Sequence, residues 1–459
     1  MRKLAFISAC ILSQIGYAQT NPIITKWLRN TTGITGRHYV SGNSTPFNDA
    51  VLANVQSVQY SADWVYMSTN GIPSYITGPF LDGNTSLASA QNAIFRMPLV
   101  PQPNTGTLSP TTGGNIGQFI NGVALFDYRD GVAWNSTANS LCGPLPGMSQ
   151  CPVGPGTTRA WNRDAVLAEK GGFDCAKAHP ADGNYHHHQN PSAFNLDLVV
   201  ISTVCNLYPA DGLYVINTNE HSPLLGFAAD GYPIYGAYAY ANTDGTGGIT
   251  RMKSSYQLRN ITSRTTSPTG ATVSNGPAVS TQYPLGYFKE DYEYVAHPSD
   301  PTYLDIHNGR NCITPEYPGP DGIYAYFTTV NANHNSAYPY VVGPTFYGIK
   351  NATKVTSITE TTTTYNPALA STQFDIQEKE LLVYPNPAAD FIAVQLNKLV
   401  VSNQTIELTD MLGRIIDSTQ VVQGSTLCYF DTSSLYNGIY FVRIASSKEP
   451  QSVKVIISK

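Results

Sequence analysis

Charge is scarce in this sequence. Asp, Glu, Lys and Arg together make up 12% of its 459 residues, and the net charge is −5. The 26 Lys and Arg residues form no cluster, so no nucleic-acid partner is expected. Long apolar runs are missing too. Beyond the first residues no stretch reaches the roughly 18 apolar residues that a membrane helix needs, so the mature chain is expected to have no transmembrane helix. Helical patterning is rare, with one convincing segment, Trp161 to Lys170, which ends at Gly171-Gly172. No Gly-x-Ser-x-Gly elbow occurs, which removes the main support for a serine hydrolase.

Turn and strand formers are plentiful. There are 38 Gly, 31 Pro and 30 Tyr, with many Ser and Thr. That mixture favours strands joined by tight turns, so a mostly β protein is expected. Its length suits two or three domains. The N-terminus reads as a signal peptide over residues 1–18. Arg2 and Lys3 precede an apolar run from Leu4 to Ile15, and Gly16-Tyr17-Ala18 supplies small residues before Gln19. Ile7-Ser8-Ala9-Cys10 offers a competing lipoprotein reading. Cleavage there leaves an apolar run of about four residues where about 7–15 are usual. Outside the signal stand Cys142, Cys151, Cys175, Cys205, Cys312 and Cys428. An exported chain can oxidise them. Cys142 and Cys151 bracket a Gly/Pro loop and suit a local bridge, and Cys428 is expected to lack a partner.

The chain divides by composition. Residues 19–54 are polar and read as an irregular lead-in. Residues 55–348 form a large Tyr/Gly-rich β domain, opened by strand-like Val55 to Tyr60 and Trp64 to Met67. Residues 349–380 are rich in Thr and Ser and read as a linker. Residues 381–459 carry short alternating strands, such as Phe391 to Leu396 and Ile439 to Ile444, and indicate a small Ig-like β-sandwich.

Eight of the nine histidines fall between residues 179 and 348. The densest group is His179-Pro180-Ala181-Asp182-Gly183-Asn184-Tyr185-His186-His187-His188. Asp182-Gly183 reads as a turn and Tyr185 onward as a strand. Alternation along a strand then puts His186 and His188 on one face and Tyr185 and His187 on the other. Two imidazoles so placed can converge on one metal, with His179 as the nearest third ligand. Zinc or copper would suit, and imidazole also binds iron and nickel. His221, Asp230, His307 and Glu316 are further candidates from a distance. A solvated aromatic strand explains the same residues without metal. Asp230 and Asp305 also suit turns or hydrogen bonding, and Arg310 suits either an anion or a structural role.

The tail carries motifs beyond periodicity. Tyr384-Pro385-Asn386-Pro387 opens it, Leu408-Thr409-Asp410-Met411-Leu412-Gly413-Arg414 lies in the middle, and Leu435-Tyr436-Asn437-Gly438-Ile439-Tyr440 precedes the last hairpin. These resemble the C-terminal sorting domain of the type IX secretion system of Bacteroidota. The resemblance implies that residues 381–459 engage that secretion machinery. It further implies removal of the tail, with release or attachment to surface lipopolysaccharide, and a secreted or cell-surface location.

The middle resembles the YHYH domain, named for a Tyr-His-Tyr-His run in extracellular proteins. Carrying segments are Asn121-Gly122-Val123, Tyr185-His186-His187-His188, His221-Ser222-Pro223-Leu224-Leu225-Gly226, Asp230-Gly231-Tyr232-Pro233, Leu304-Asp305-Ile306-His307-Asn308-Gly309-Arg310, Thr314-Pro315-Glu316-Tyr317 and Tyr338 to Gly348. His187 departs from the family's Tyr, on the face away from His186 and His188. The resemblance implies no known reaction, so whether the protein is an enzyme stays open.

A short repeat bears on this. Asp182-Gly183-Asn184-Tyr185 is echoed by Asp321-Gly322-Ile323-Tyr324 and, more briefly, by Asp211-Gly212-Leu213-Tyr214. Gly231-Tyr232-Pro233-Ile234 is echoed by Ala337-Tyr338-Pro339-Tyr340. A divergent duplication and recurrent hairpin chemistry both explain this. The second copy lacks the histidines, so the turn-plus-Tyr pattern reads as architecture. Two functions follow: a metal-binding surface protein, or a metal-free binding or adhesion module using Tyr-rich loops.

Overall fold

The computed structural model describes residues 21–40, 45–80, 87–152, 159–191 and 218–366. In the tail it describes 381–384, 386–396, 400, 402–411, 413–423, 427–445 and 452–459. The expected signal peptide, Cys10, Cys205, the Asp211 to Tyr214 echo, Pro385, Leu412 and the last part of the expected linker lie outside the described residues. The chain forms two compact units, Met1–Ala370 and Ser371–Lys459. Both are built almost entirely of strands, as the composition implied.

The larger unit is organised around an eight-stranded sheet. Its strands in chain order are β1 (Asn115–Phe119), β2 (Ala124–Phe126), β3 (Ala178–Ala181), β4 (Asn184–His187), β5 (Leu224–Ala228), β6 (Pro233–Tyr235), β7 (Gly309–Cys312) and β8 (Ile323–Phe327). Across the sheet they run β3-β4-β2-β1-β5-β6-β8-β7. On one side lies a second sheet that includes Val55–Tyr60, Trp64–Thr69 and Ala93–Pro98. Val55, Val58, Val65, Met67 and Met97 from that sheet pack with Phe227, Tyr235 and Phe327 of the central one. The other face is covered by Tyr338, Tyr340, Val341, Val342 and Phe346, which join Ile116, Phe119, Leu125 and Ile234. The central sheet is therefore buried on both faces, and all five residues of β5 (Leu-Leu-Gly-Phe-Ala) are buried. Each such aliphatic or Phe side chain contributes roughly 1.5–3 kcal/mol.

The sheet repeats itself. β1 and β2 form an antiparallel hairpin, and β4, the second strand of the β3-β4 hairpin, lies parallel beside β2. β5 and β6 form the same hairpin, and β8 lies parallel beside β6 with β7 outside it. The halves meet where Gly117, Gln118 and Phe119 pair antiparallel with Ala228, Phe227 and Gly226. That register relates the two halves symmetrically, with Gln118 opposite Phe227. Fine detail repeats too. Asp174 accepts the Tyr185 hydroxyl at 2.8 Å and the Ala176 and Ala178 amides at 2.9 and 3.2 Å. Asp305 accepts the Tyr324 hydroxyl at 2.9 Å and the His307 and Gly309 amides at 2.9 and 3.1 Å. Lys177 and Asn308 hold the same left-handed conformation, with φ 65° and 66°. Such agreement over two hairpins favours duplication over recurrent turn chemistry. The Ala337 to Tyr340 echo, by contrast, lies outside any strand.

Three stretches differ from expectation. The lead-in is not wholly irregular: helix α1 (Pro22–Thr25) and strands Thr35–His38 and Phe47–Leu52 lie within it. Ile23, Ile24 and Trp27 anchor it in the core among polar neighbours that masked them. Part of the Thr/Ser-rich run pairs with the body. Thr353–Val355 joins Ala93–Pro98, and Thr363–Thr364 joins Val55–Tyr60. Edge pairing uses backbone groups, and β-branched Thr suits it without an apolar pattern. The helix expected from Trp161 is shorter. It is α2 (Ala165–Glu169), because Asn162–Asp164 is a strand and the Asp164 side chain caps α2 by accepting the Leu167 amide at 3.2 Å.

Cys142 and Cys151 are bridged. Cys175 is also in a disulfide, whereas Cys312 and Cys428 are buried free thiols. The tail unit is a β-sandwich. A three-stranded sheet (Leu381–Tyr384, Phe391–Leu396, Leu427–Asp431) faces a four-stranded one (Gln404–Asp410, Ile415–Val421, Gly438–Ile444, Ser452–Ile457). Ile392, Val394, Ile406, Leu408, Phe430, Val442 and Val455 fill the space between them.

Two outcomes follow for stability. Gly183 has φ +77°, and a Cβ there would lie 2.0 Å from Ser89 Oγ. Gly183→Ala should therefore destabilise the domain by about 1–3 kcal/mol, read as a lower urea midpoint. Asp230 is fully buried, and burial pushes its carboxyl up to about 6 despite donation from the Tyr326 hydroxyl and the Gly348 amide. A raised carboxyl pKa stabilises the fold below about pH 4, the unfolded value, and that contribution is lost as pH rises through about 6. Asp230 alone should account for a fall of up to about 3 kcal/mol across that window, and Asp230→Asn should make the profile in urea melts shallower than that of the wild type there.

Candidate metal centre

The histidine cluster is assembled by one hairpin. Asp182 (φ 48°) and Gly183 (φ 77°) both adopt the left-handed conformation that a two-residue turn requires. The turn sets the register so that His179 on β3 lies directly opposite His186 on β4. Alternation then divides the following residues as expected. Tyr185 turns to Asp174, and His187 Nε2 lies 3.0 Å from the Tyr75 hydroxyl. His186 and His188 turn the other way, toward His179.

All three are buried, with exposures of 6% for His179, 2% for His186 and 4% for His188. One ligand nitrogen from each lies within 4.8 Å of the others. Their protonation is dictated by the backbone. His186 Nδ1 lies 2.8 Å from the Asn184 carbonyl and His188 Nδ1 lies 2.6 Å from the Asp127 carbonyl. A carbonyl only accepts, so both Nδ1 atoms donate and carry the proton. In the neutral rings each Nε2 is then a bare lone pair. These two Nε2 atoms stand 3.1 Å apart. Two bare lone pairs at that distance repel, and either a proton shared between them or a cation relieves this.

A carboxylate stands beside the group. Glu169 closes α2, and its Oε2 lies 3.2 Å from His179 Nε2 and 3.3 Å from His188 Nε2. That oxygen is buried and accepts no well-aligned N–H. Burial alone would push the Glu169 carboxyl up, but the imidazoles of His179 and His188, when they carry a proton on Nε2, hold it well below the usual carboxylate range. Burial, together with the neighbouring His188 and His179, holds His186 well below the usual imidazole value. The result is a set of nitrogen donors beside an anionic oxygen. Phe126 stacks on His186 at 3.9 Å, and Phe173 packs edge-on to His179 at 5.0 Å. These aromatic walls fix the rings and exclude water.

The distant candidates are held elsewhere. His221 Nδ1 donates to the Ser222 carbonyl at 2.8 Å, and its ring packs on Tyr235 and Tyr240. Asp230 accepts the Tyr326 hydroxyl at 2.6 Å. His307 Nδ1 meets Thr345, and Glu316 pairs with Lys26 at 3.3 Å. Arg310 donates to the backbone carbonyls of Pro301, Ala241 and Tyr240, which is a structural role. Among the described residues, the group able to hold a metal is His179, His186 and His188. Residue types alone did not single out Glu169. The one available signal was its place at the end of the helix whose Gly171-Gly172 stop returns the chain to His179.

Comparison with known proteins agrees with both resemblances. Residues 382–458 match the secretion system C-terminal sorting domain, which marks a secreted or cell-surface protein handled by type IX secretion. No helix among the described residues is long and apolar enough to cross a membrane. No curated protein matches the chain. Among solved structures, dimeric latent PorU from Porphyromonas gingivalis matches at 21% identity over 17% of this chain and 9% of that one, with a TM-score of 0.14. The chain thus spans less than a tenth of that protein's length. Residues 94–339 match the family described as YHYH protein. They make up more than half of the sequence, and the chain belongs to the YHYH protein family.

Proposed function

We propose that this exported domain holds a divalent transition metal, zinc or copper, through His179, His186, His188 and Glu169. The observation that carries the reading is the convergence of His186 Nε2 and His188 Nε2, 3.1 Å apart beside a buried carboxylate oxygen. Donors about 2.0–2.1 Å from a tetrahedral zinc stand about 3.3 Å from one another. Three of the six donor pairs, at 3.1, 3.2 and 3.3 Å, are near that edge, and the three histidine nitrogens lie within 4.8 Å of one another, so the set has to draw in around an ion. Both Nδ1–H groups already donate to carbonyls, which is how metal-bound imidazoles are usually oriented. With Glu169 in place four donors close the site, which suits a metal that is held rather than one that turns over substrate. The tyrosines that would serve an adhesive surface are largely committed to the interior: Tyr75, Tyr128, Tyr185, Tyr235 and Tyr326 are almost fully buried. Export completes the reading. The tail is removed at the outer membrane, and the domain is released or attached to surface lipopolysaccharide.

Elemental analysis of purified full-length protein, after exposure to zinc or copper and dialysis, tests the centre. Wild type should retain stoichiometric metal, and His186→Ala/His188→Ala should retain none. Glu169→Gln should weaken retention by at least about tenfold. Metal at a hundredfold excess over its Kd should add about 2.7 kcal/mol of stability, visible as a higher melting temperature that chelation reverses. A wild type that stays metal-free after exposure ends the proposal. Intact-mass measurement of the protein recovered outside the cell tests the export reading. The expected mass lacks residues 381–459, and a mass that includes them contradicts tail removal.

A further inference from the structure

A second feature lies beside the histidine group and does not depend on any metal. A cavity of about 240 Å³ lies between the central sheet and the sheet that carries Ala93–Pro98. Phe95, Met97, Ala124 and Phe126 supply apolar wall, and Gln118 lines it from β1. Gln118 is 2% exposed, yet among the described residues neither its Oε1 nor its Nε2 has a hydrogen-bond partner. A buried amide without partners costs roughly 1–3 kcal/mol for each unmade bond, so the position is expensive as architecture. The internal repeat sharpens this. The residue opposite Gln118, at the corresponding place in the other half, is Phe227, a fully buried core side chain. One half fills this position with hydrocarbon and the other places an unpaired amide beside a cavity.

The rim indicates the chemistry of the occupant. Lys350 and Lys354 line the cavity and are exposed, and no Asp or Glu is among its lining residues. Lys350 is steadied over the Phe346 ring, with its ammonium 5.7 Å from the centroid. A carboxamide presents a donor and an acceptor side by side, and its edge pairs with another amide. We propose that this cavity binds a small organic anion that carries an amide next to a carboxylate: an N-acylated amino acid or the C-terminal residue of a peptide. The ligand amide pairs with Gln118, its side chain lies on Phe95 and Met97, and its carboxylate faces Lys350 and Lys354. Phe126 forms part of the cavity wall and stacks on His186, so the ligand would lie next to the histidine group without touching it.

The test titrates full-length protein with N-acetyl-L-leucine, its neutral methylamide and acetyl-Gly-Gly-Leu, followed by saturation-transfer NMR and calorimetry. Saturable millimolar binding of the N-acetyl acid, at least about tenfold weaker for the methylamide, is expected. Binding of the tripeptide as well would identify a peptide terminus, and its failure a free acylated amino acid. Gln118→Leu should weaken binding at least about tenfold, with an unchanged circular dichroism spectrum. Lys350→Glu/Lys354→Glu changes only exposed positions and should do the same, so the test stands even if the Gln118 variant misfolds. No saturable binding of any probe by wild type, or binding untouched by the lysine changes, overturns the proposal. Repeating the titration on His186→Ala/His188→Ala separates it from the metal reading, since loss of metal should leave binding in place.

Discussion

The buried carboxylate of Asp174 is the constraint on which the histidine site depends. It accepts the amides of Gly78, Ala176 and Ala178 and the hydroxyl of Tyr185. Those four donors come from a separate loop, from both sides of Lys177, and from the strand that carries His186. They fix the path of the chain entering β3, and the Asp182-Gly183 turn then sets His179 opposite His186. Burial pushes the Asp174 carboxyl up to about 7, because these hydrogen bonds do not fully replace water around the charge. The clasp is polar and geometric, and the core around it (Tyr75, Val123, Ala176, Tyr185) supplies the apolar shell.

The same clasp at Asp305 holds the other half of the sheet, where the side chains differ. Where the first half has His179, His186 and His188, the second has Arg310, Ala325 and Phe327. Backbone pairing and the Asp–Tyr hydrogen bond define the hairpin in both. The positions projecting from it are free to diverge, since the scaffold makes no demand on them. One half became a cluster of nitrogen donors. The other became ordinary core with an arginine tied to backbone carbonyls.

The histidine group and the neighbouring cavity share a wall, and that follows from the sheet. β2 lies between β4 and β1, so Phe126 reaches His186 on one side while Ala124 and Gln118 border the cavity. Parallel pairing of His186 with Ala124 fixes this distance. Glu169 comes from a short helix far less constrained by the sheet, yet its cap at Asp164 is tied to Tyr340 in the opposing layer. That bond fixes where the helix starts, and with it the backbone from which Glu169 reaches the imidazoles.

Much of this was legible in the residues. Turn-forming Asp182-Gly183 and strand alternation were enough to pair His186 with His188 and turn His187 away, because both rules are local. Strand content, the tail sandwich and the Cys142–Cys151 bridge were likewise local. Tertiary structure alone decided the rest. Glu169 joins the histidines across a fold-back whose closure no periodicity encodes. The pairing of Thr353–Val355 and Thr363–Thr364 with the body depends on which strand edges happen to be open. Whether Gln118 is a filled position or an unpaired amide depends on what stands opposite it. Local motifs were enough to show that the protein leaves the cell and that His179, His186 and His188 lie on one hairpin. Which carboxylate faces them, and what lies behind Phe126, depended on contacts between residues far apart in the chain.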